Sequence, residues 1–337
     1  MLEVKNLTVS FHTYAGEVQA LRGVDFSVED GEVLAVVGES GCGKSVTVQS
    51  ILQLHRPDSV DYKAGEILYN GNDLLKYSEK QMQQIRGKEI SMIFQDVMTS
   101  LNPTLTVGRQ LTEILEKHGL KDKTENKKRA IELLRQVGIA NPEKRYNQYP
   151  HEFSGGMRQR VMIAIATACD PKILIADEPT TALDVTVQAQ ILDLMKELQQ
   201  TGNMSIIFIT HNLGVVANIA QKVAVMYGGI IVEKGTVFDI FYRFRHPYTW
   251  GLMHSTFKLD QDRNEDLHPI EGTPPNLLDP PKGCPFAQRC EYAMHICNET
   301  IPEFTKLGTF HECRCHLLDP DCPVDIESVI KHEQKFS

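Results

Sequence analysis

The sequence predicts an α/β protein built on a parallel sheet. Three short apolar runs, KILIAD, MSIIFIT and KVAVMYGG, are separated by helix-periodic stretches, and this βα alternation is typical of a parallel sheet covered by helices. An earlier apolar run, VLAVV, leads into the glycine-rich segment GESGCGKS, Gly38–Ser45. A strand, a glycine-rich turn and a helix-compatible segment in this order indicate a phosphate-binding loop.

The composition excludes several classes of protein. The 337 residues, 42% of them hydrophobic, are enough to bury a core and predict two domains. The net charge of −9 argues against broad nucleic-acid binding, because backbone phosphates are bound by clustered Lys and Arg. The start, MLEVKNLTVSF, lacks the features of a secretory signal, and no apolar run reaches the roughly 18 residues of a membrane span. We expect a cytosolic or peripheral protein that needs separate membrane subunits if it transports.

Two further patterns precede the parallel core. Residues 2–37 alternate apolar and polar side chains in short runs, which predicts strands leading into the glycine-rich turn. The run EISMIFQ predicts one more strand, and residues 107–150 then change to two charged segments with helical periodicity, QLTEILEKHGL and TENKKRAIELLRQVGI. We therefore expect a helical insert at about residues 96–170.

The alternation fades toward the C-terminal end. Residues 256–283 carry Asp, Asn, Pro and Gly with little periodicity, which predicts a linker between a first domain, 1–255, and a small tail, 284–337. Six of the eight cysteines fall between Cys284 and Cys322. In a reducing compartment such a cluster favours metal binding over disulfides.

The glycine-rich loop offers ligands for a nucleotide. Gly38, Gly41 and Gly43 allow backbone amides to curl around a β-phosphate. Lys44 supplies a positive charge, and the Ser45 hydroxyl reaches Mg²⁺. The cysteine of the loop occupies a position that the motif leaves free. The predicted nucleotide-binding residues of the loop are Gly38, Glu39, Ser40, Gly41, Cys42, Gly43, Lys44 and Ser45.

Polar side chains at strand ends complete a hydrolytic site. The run KILIAD delivers Asp177 to the carboxyl edge of the sheet, where it can hold Mg²⁺ through water. Glu178 follows with no cation beside it in sequence, which suits a general base for attack on the γ-phosphate. Gln95 is expected to contact the metal and the attacking water, and His211, after MSIIFIT, to hold the γ-phosphate or that water. The predicted Mg²⁺ ligands are Ser45, Gln95 and Asp177.

A second glycine pair follows in the octet FSGGMRQR, residues 153–160. Ser154, Gly155 and Gly156 are expected to open a helix, whose unpaired N–H groups and positive dipole end suit an anion. We expect this anion to be a nucleotide phosphate.

In this order the motifs resemble those of the ATP-binding cassette family, over roughly residues 1–250. The resemblance implies a P-loop NTPase fold with an antiparallel N-terminal β-subdomain, and two cassettes paired head to tail so that the signature of one closes over ATP on the other. The signature departs from the family at Phe153, where Leu is frequent, and at Met157, where Gln is common. The matching motifs are Walker A at 38–45, the Q-loop Gln95, the signature at 153–160, Walker B at 173–178, the D-loop around Asp184 and the switch His211.

The family also stacks an aromatic side chain of the N-terminal sheet on adenine. The segment FHTYAGEV offers Tyr14, which directly precedes the AGEV turn where the family places this residue. Phe11 is the alternative. Such a stack contributes about 0.5–1.5 kcal/mol.

Three segments narrow the resemblance to the ATPase subunits of dipeptide, oligopeptide and nickel importers. They are SVTVQSIL after Lys44, QDVMTSLNPTLTVGRQLTE at the Q-loop and RHPYTWGLM at residues 245–253, and Val46 is similar to the "D" type of subunit. The resemblance implies a peripheral position on the cytoplasmic face of the cell membrane. Its implied partners are a second ATPase subunit, two transmembrane permease subunits docked at residues 96–108 and, indirectly, an extracytoplasmic peptide-binding protein.

The cysteine tail resembles the C-terminal region of the peptide importer ATPases, some of which carry a [4Fe-4S] cluster. On that pattern the ligands are Cys284, Cys290, Cys297 and Cys315. The gaps of five and six residues weaken a zinc site, whose pairs are usually shorter, but zinc and free thiols remain alternatives. A structural and a redox-sensing role for the tail also both remain open.

The expected function is ATP hydrolysis that drives import of di- or oligopeptides, with ATP and Mg²⁺ as cofactors. A nickel importer ATPase of the same family and a non-transport cassette protein of DNA repair or translation are the alternatives. The latter usually carries a long coiled-coil insert or two cassettes on one chain, and neither is present.

Overall fold

The computed structural model describes residues 1–96, 100–119, 122–181, 183–255, 270–324 and 326. Residue contacts divide the chain into two units. Residues 97–99 of the expected docking segment and residues 256–269 of the expected linker lie outside the described residues. The first unit comprises Met1, Val28–Val33 and Leu74–Ile209, and the second Leu2–Ser27, Leu34–Asp73 and Thr210–Ser337.

Strands and helices alternate along most of the described chain. The strands are β1 (Leu2–Thr13), β2 (Gly16–Val28), β3 (Val33–Val37), β4 (Val60–Tyr69), β5 (Asn72–Asp73), β6 (Ile90–Ile93), β7 (Ile173–Asp177), β8 (Ser205–Thr210), β9 (Lys222–Tyr227), β10 (Ile230–Thr236), β11 (Thr305–Lys306) and β12 (Glu312–Cys313). The helices are α1 (Lys44–Ile51), α2 (Glu79–Ile85), α3 (Val107–Lys117), α4 (Lys123–Gln136), α5 (Pro142–Arg145), α6 (Gly155–Thr167), α7 (Val185–Gly202), α8 (Leu213–Ile219), α9 (Val237–Tyr242), α10 (Pro247–His254) and α11 (His295–Glu299).

The first unit contains the parallel strands β6, β7 and β8. Ile173 of β7 lies between Ile90 of β6 and Ser205 of β8 in the register. All five residues of β7 are buried, as are all six of β8. Parallel strands buried on both faces need continuous apolar runs rather than alternation. The strands predicted from EISMIFQ, KILIAD and MSIIFIT are therefore confirmed.

Three helices of the first unit, α3, α4 and α6, pack on one another. Each begins at a side chain that caps it, because the first N–H groups of a helix have no partner within the helix. Thr106 accepts a hydrogen bond from the amide of Arg109, and Asp122 accepts from the amides of Thr124 and Glu125. The helices expected between residues 107 and 150 are thus present.

The second unit contains two groups of strands. The first has the order β2–β1–β4–β5, with β1 antiparallel to β4, so that Leu2 lies opposite Tyr69. This is the antiparallel N-terminal sheet that the sequence predicts. In the second group β3 runs parallel to β9, while β9, β10, β12 and β11 follow as antiparallel neighbours. The cysteine-bearing tail contributes β11 and β12 to this group.

The tail packs on the apolar core of the second unit. Cys284, Phe286 and Ala287 are buried in one cluster with Tyr227 of β9 and Tyr248 of α10. A segment this small cannot build a sizeable core of its own. It therefore depends on the side chains of β9 and α10, close to the end of β3.

The backbone packed against Gly283 leaves no room for a side chain at this position. A Cβ added there would lie 2.2 Å from the carbonyl oxygen of Cys297, which also accepts a hydrogen bond of 2.8 Å from the amide of Cys284. We expect Gly283→Ala to lower the free energy of unfolding by about 1–3 kcal/mol, as other overpacked sites do. Urea unfolding measures the change. Gly308→Ala is the control, since its nearest contact, at 3.6 Å, is ordinary; equal stability of the two variants would contradict this packing.

Candidate active site

The phosphate-binding loop connects β3 to α1 in the second unit. Two of its glycines are sterically required. At Gly38, with φ 151°, an added Cβ would lie 2.1 Å from the carbonyl oxygen of Met226. At Gly43, with φ 102°, it would lie 2.9 Å from the carbonyl oxygen of Ala20. Both conformations favour glycine, and the loop backbone passes directly against its neighbours.

Lys44 opens α1 and turns back onto the loop. Its side chain is buried, and its ammonium donates to the carbonyl oxygens of Gly38, at 2.7 Å, and Glu39, at 2.9 Å. Cys42 is also buried, with its sulfur 3.8 Å from the same ammonium. Burial raises the pKa of the Cys42 thiol. The cysteine that the motif leaves free is therefore part of the inner wall of the loop, while Ser40 and Gly41 are exposed.

Glu39 is held by residues that sequence reasoning did not assign to the site. Its backbone amide donates to the hydroxyl of Tyr248 at 2.8 Å. Its carboxylate accepts two hydrogen bonds from the guanidinium of Arg289, at 2.6 and 3.1 Å. Tyr248 belongs to the segment RHPYTWGLM, which served only as a family marker, and Arg289 belongs to no motif that the sequence reveals.

The carboxylate pair lies at the carboxyl end of β7 in the first unit. Asp177 is buried, with 2% of its surface exposed. Glu178 follows in the left-handed region at φ 47°, and its amide donates to the carbonyl oxygen of Ile209 at 3.0 Å. A non-glycine residue in this conformation costs on the order of 1–3 kcal/mol and is typical of functional sites. The two neighbouring residues thus differ in backbone conformation: Asp177 is the last residue of the buried strand, and the chain leaves the strand direction at Glu178.

The structure brings two predicted catalytic residues of the first unit together. The side-chain amide of Gln95 donates to a carboxylate oxygen of Glu178 at 3.0 Å, and the hydroxyl of Thr181 donates to the same oxygen at 3.0 Å. Two donors on one oxygen fix the direction of the carboxylate. The remaining predicted residue of this group, His211, lies in the second unit. It is exposed and directly precedes Asn212, which caps α8.

The signature residues begin α6. Ser154 caps the helix by accepting a hydrogen bond of 3.4 Å from the amide of Met157. Ser154 and Gly155 are exposed, and a Cβ added at Gly155 would meet nothing within 4 Å. At Gly156 a Cβ would lie 2.7 Å from a methyl carbon of Val187 in α7. The two glycines therefore differ: Gly156 is required by packing within the unit, whereas no contact with the residues that the structure describes requires Gly155.

The departure from the family at Phe153 has a local explanation. The ring is buried, with 3% of its surface exposed, and the guanidinium of Arg145 lies 5.5 Å from its centre. An aromatic ring offers this cation–π contact, and leucine does not. Phenylalanine in place of leucine at position 153 therefore adds a contact with Arg145, and the next residue, Ser154, is unchanged.

The two candidates for an adenine stack differ in exposure. Tyr14, at the turn between β1 and β2, has a fully exposed side chain. Phe11 already packs edge-on against His55, with ring centres 5.0 Å apart. Of the two rings, Tyr14 is the one that presents an open face.

Five thiols of the tail lie close enough for their charges to interact: Cys284, Cys290, Cys297, Cys313 and Cys315. Burial raises the pKa of Cys284 to about 11 and that of Cys290 to about 12, and the neighbouring thiol charges act in the same direction. Burial likewise raises the pKa of Cys315, with further contributions from Cys290, Cys284 and Cys297. The sulfur of Cys322 instead lies 3.8 Å from that of Met294. Within the described ranges, no group of three or more His, Cys, Asp or Glu side chains is arranged to hold a metal ion.

His246 places Tyr248 against the loop. Its ring nitrogen Nδ1 accepts the amide hydrogen of Tyr248 and so caps α10, while its own amide donates to the buried carboxylate of Glu233. The hydroxyl of Tyr248 then reaches Glu39, and its ring packs on Phe286 with centres 5.3 Å apart.

The described helices include none long and apolar enough to cross a membrane.

Comparison with known protein families matches two parts of the chain. The model described as ABC transporter matches residues 21–181, and the model described as oligopeptide/dipeptide transporter, C-terminal region, matches residues 232–297. The second match includes the HPYT segment and the first three cysteines of the tail.

Curated proteins and solved structures extend these matches. The chain is 61% identical to the oligopeptide transport ATP-binding protein OppD of Bacillus subtilis, over 96% of this chain and 90% of that protein. It is 56% identical to the dipeptide transport ATP-binding protein DppD of the same organism, over 95% of each. Among solved structures it is similar to the ATP-binding cassette MJ0796, a dimer bound to ADP and Pi, with a TM-score of 0.63 and 28% identity over 70% of this chain and 99% of that one.

Burial of His246 makes stability depend on pH. Burial lowers its pKa from 6.5 to about 3, so the unfolded chain binds a proton below pH 6.5 that the folded chain does not. Stability is therefore full above pH 6.5 and falls as the pH drops toward 3. Between pH 7 and pH 5 the loss is about 2 kcal/mol from this group.

The change is measured by urea unfolding at pH 7 and pH 5. His246→Asn keeps an acceptor for the helix cap and removes the titrating ring, so its stability should fall less over this range than that of the wild type. The buried pair formed by His311 and Glu233, 2.8 Å apart, is present in both the wild type and His246→Asn. Exposed His12→Asn is the control and should retain the wild-type dependence; the same dependence in His246→Asn would refute the assignment.

Proposed function

Because the chain belongs to the ABC transporter family of ATP-hydrolysing proteins, we propose that it is the ATPase subunit that drives uptake of di- or oligopeptides across the cytoplasmic membrane. The observation that carries this function is the similarity to OppD and DppD over 96% and 95% of the chain, together with the family match over residues 232–297. Both relatives are named for peptide transport, and neither is named for nickel.

The loop in the second unit would bind the phosphates of ATP. The ammonium of Lys44, now bonded to carbonyl oxygens of the loop, is the group that would turn to the β- and γ-phosphates. Ser45 follows in the first turn of α1, where its hydroxyl would reach Mg²⁺. Tyr14 would stack on adenine, since its ring is exposed.

The carboxylates of the first unit would supply the chemistry. Glu178 would accept a proton from the attacking water, and the donors on its second oxygen, Gln95 and Thr181, would keep the carboxylate in place. Buried Asp177 and Gln95 would hold Mg²⁺ with Ser45. His211 would orient the γ-phosphate or the water.

The signature would act on a nucleotide held by another chain. Ser154 and Gly155 are exposed at the first turn of a 13-residue helix, where an anion is favoured. Packing among the described residues does not account for Gly155, whereas a phosphate brought against the backbone would. The similar cassette MJ0796 is a dimer, which also supports pairing with a second ATPase subunit.

The remaining assignments concern partners and place. We propose two transmembrane permease subunits docked at residues 96–108, an extracytoplasmic peptide-binding protein that acts through them, and a peripheral position on the cytoplasmic face of the membrane. The domain division would be 1–255 for the cassette, with its helical part at about 96–170, 256–283 for the linker and 284–337 for the tail.

We propose that the tail holds a [4Fe-4S] cluster on Cys284, Cys290, Cys297 and Cys315. In support, these thiols lie close enough for their charges to act on one another, and iron-sulfur clusters are held by four Cys thiolates. Cys284 and Cys290, Cys297 and Cys315 lie on three separate segments of the tail. A bound cluster would join these segments and keep the four thiols ionised.

The catalytic assignment predicts a different outcome for each half of the site. Glu178→Gln should bind MgATP but hydrolyse it about 100-fold more slowly or worse, because it removes a general base. Lys44→Ala should lose MgATP binding itself. Both are measured on the assembled transporter, as phosphate release and nucleotide affinity. Exposed Glu197→Gln, on α7, is the control and should behave as wild type; normal hydrolysis by Glu178→Gln would overturn the assignment.

The cluster assignment predicts the metal content. Anaerobically purified protein should contain about four irons and four acid-labile sulfides per chain and should absorb visible light. Cys297→Ser should lose most of this absorbance, and Cys322→Ser, whose sulfur lies beside Met294, should keep it. Zinc without iron in the wild type would contradict the assignment.

A further inference from the structure

Arg289 binds the phosphate loop with all of its donors satisfied. The guanidinium has five N–H groups, and each meets an acceptor. The acceptors are the two carboxylate oxygens of Glu39, the hydroxyl of Tyr227 and the carbonyl oxygens of Ile270 and Glu271. Their distances lie between 2.6 and 3.1 Å. The arginine is therefore fixed in one orientation, in which both terminal nitrogens of its guanidinium donate to the carboxylate of Glu39.

The ion pair is largely shielded from water on the side of the arginine. Only 5% of the Arg289 side chain and 27% of the Glu39 side chain are exposed. A charge-assisted, bidentate pair in such surroundings is stronger and more directional than a surface pair. Removal of Glu39 would leave the buried charge of Arg289 without its ionic partner.

Glu39 is fixed at three points of its own structure. Arg289 holds its carboxylate, the hydroxyl of Tyr248 accepts a hydrogen bond from its backbone amide, and Lys44 donates to its carbonyl oxygen. Glu39 is the second residue of the phosphate loop, so these bonds set where the loop leaves β3. Two of the three supports come from far along the chain, in the C-terminal region.

We propose that Arg289 is a positioning residue for ATP binding, which holds Glu39 and thereby gives the phosphate loop its nucleotide-binding shape. The cysteine tail would then set the affinity of the chain for MgATP, although it supplies no ligand to the nucleotide. The inference rests on the proposed function in one respect, namely that the loop Gly38–Ser45 binds ATP.

Two features of the chain give the tail this role. Arg289 directly precedes Cys290, one of the proposed cluster ligands, so the fold of the cysteine tail determines where the guanidinium lies. Phe286, from the same turn of the tail, packs against Tyr248 and Tyr227. The tail thus supports both side chains that hold Glu39 from outside the loop.

The test is the affinity of the full-length chain for MgATP, measured by calorimetry on wild type and variants. Arg289→Gln and Glu39→Gln should each weaken binding about tenfold or more, a typical coupling between distant groups. The double variant should bind no more weakly than the worse single variant, because both changes remove the same contact. Arg289→Lys keeps the charge but loses the fork, and its affinity should fall in between.

Arg314→Gln separates positioning from general support of the tail. Arg314 is a second tail arginine of low exposure, paired with Asp25 at 3.3 Å and stacked on Phe304, and it does not touch the loop. This variant should lose stability in urea but bind MgATP as wild type does.

The outcomes distinguish the inference from the function beneath it. Wild-type affinity in Arg289→Gln, additive losses in the double variant, or an equal loss in Arg314→Gln would each overturn the inference and leave the proposed function intact. A wild-type chain that does not bind MgATP would overturn the proposed function and the inference with it.

Discussion

The phosphate loop can bind a nucleotide only if its backbone is held from outside. A loop that must offer its amides to phosphate cannot use them to stabilise itself, so its shape has to come from other contacts. In this chain two such contacts converge on Glu39, one to its carboxylate from Arg289 and one from its amide to Tyr248. The glycines at positions 38 and 43 complete the constraint, because no side chain fits where the loop passes its neighbours.

The C-terminal region is built to provide these contacts. His246 caps α10 and Glu233 fixes the amide of His246, which together aim Tyr248 at the loop. Phe286 of the tail packs against both Tyr227 and Tyr248, with ring centres 5.3 Å from each, while the two tyrosine rings lie 4.4 Å apart. The cysteine tail, the HPYT helix and the loop therefore depend on one apolar core. This dependence gives a physical reason why the two parts of the chain occur together.

Much of the fold follows from local sequence, since periodicity and glycine placement are local signals. The strands of the parallel core, the strands of the N-terminal region and the helices after residue 107 are predictable in this way, whereas the antiparallel arrangement of the N-terminal sheet follows from the family resemblance. Arg289 was not, because its partner Glu39 lies 250 residues away and neither residue belongs to a pattern that links them. The left-handed backbone of Glu178 was equally invisible, since glutamate gives no signal for a positive φ. The sequence includes Cys42 in the nucleotide loop at a position that the motif leaves free, and only the fold shows that it is buried beside Lys44.

The claim that the C-terminal region holds the phosphate loop is tested most directly by hydrogen exchange of residues 38–45 without nucleotide. If Arg289 fixes Glu39, the amides of this segment should exchange faster in Arg289→Gln than in the wild type, since local opening becomes easier. The same segment in Arg314→Gln should keep the wild-type rate. Equal exchange in all three proteins would mean that the loop holds its shape alone, and it would contradict the role of Arg289.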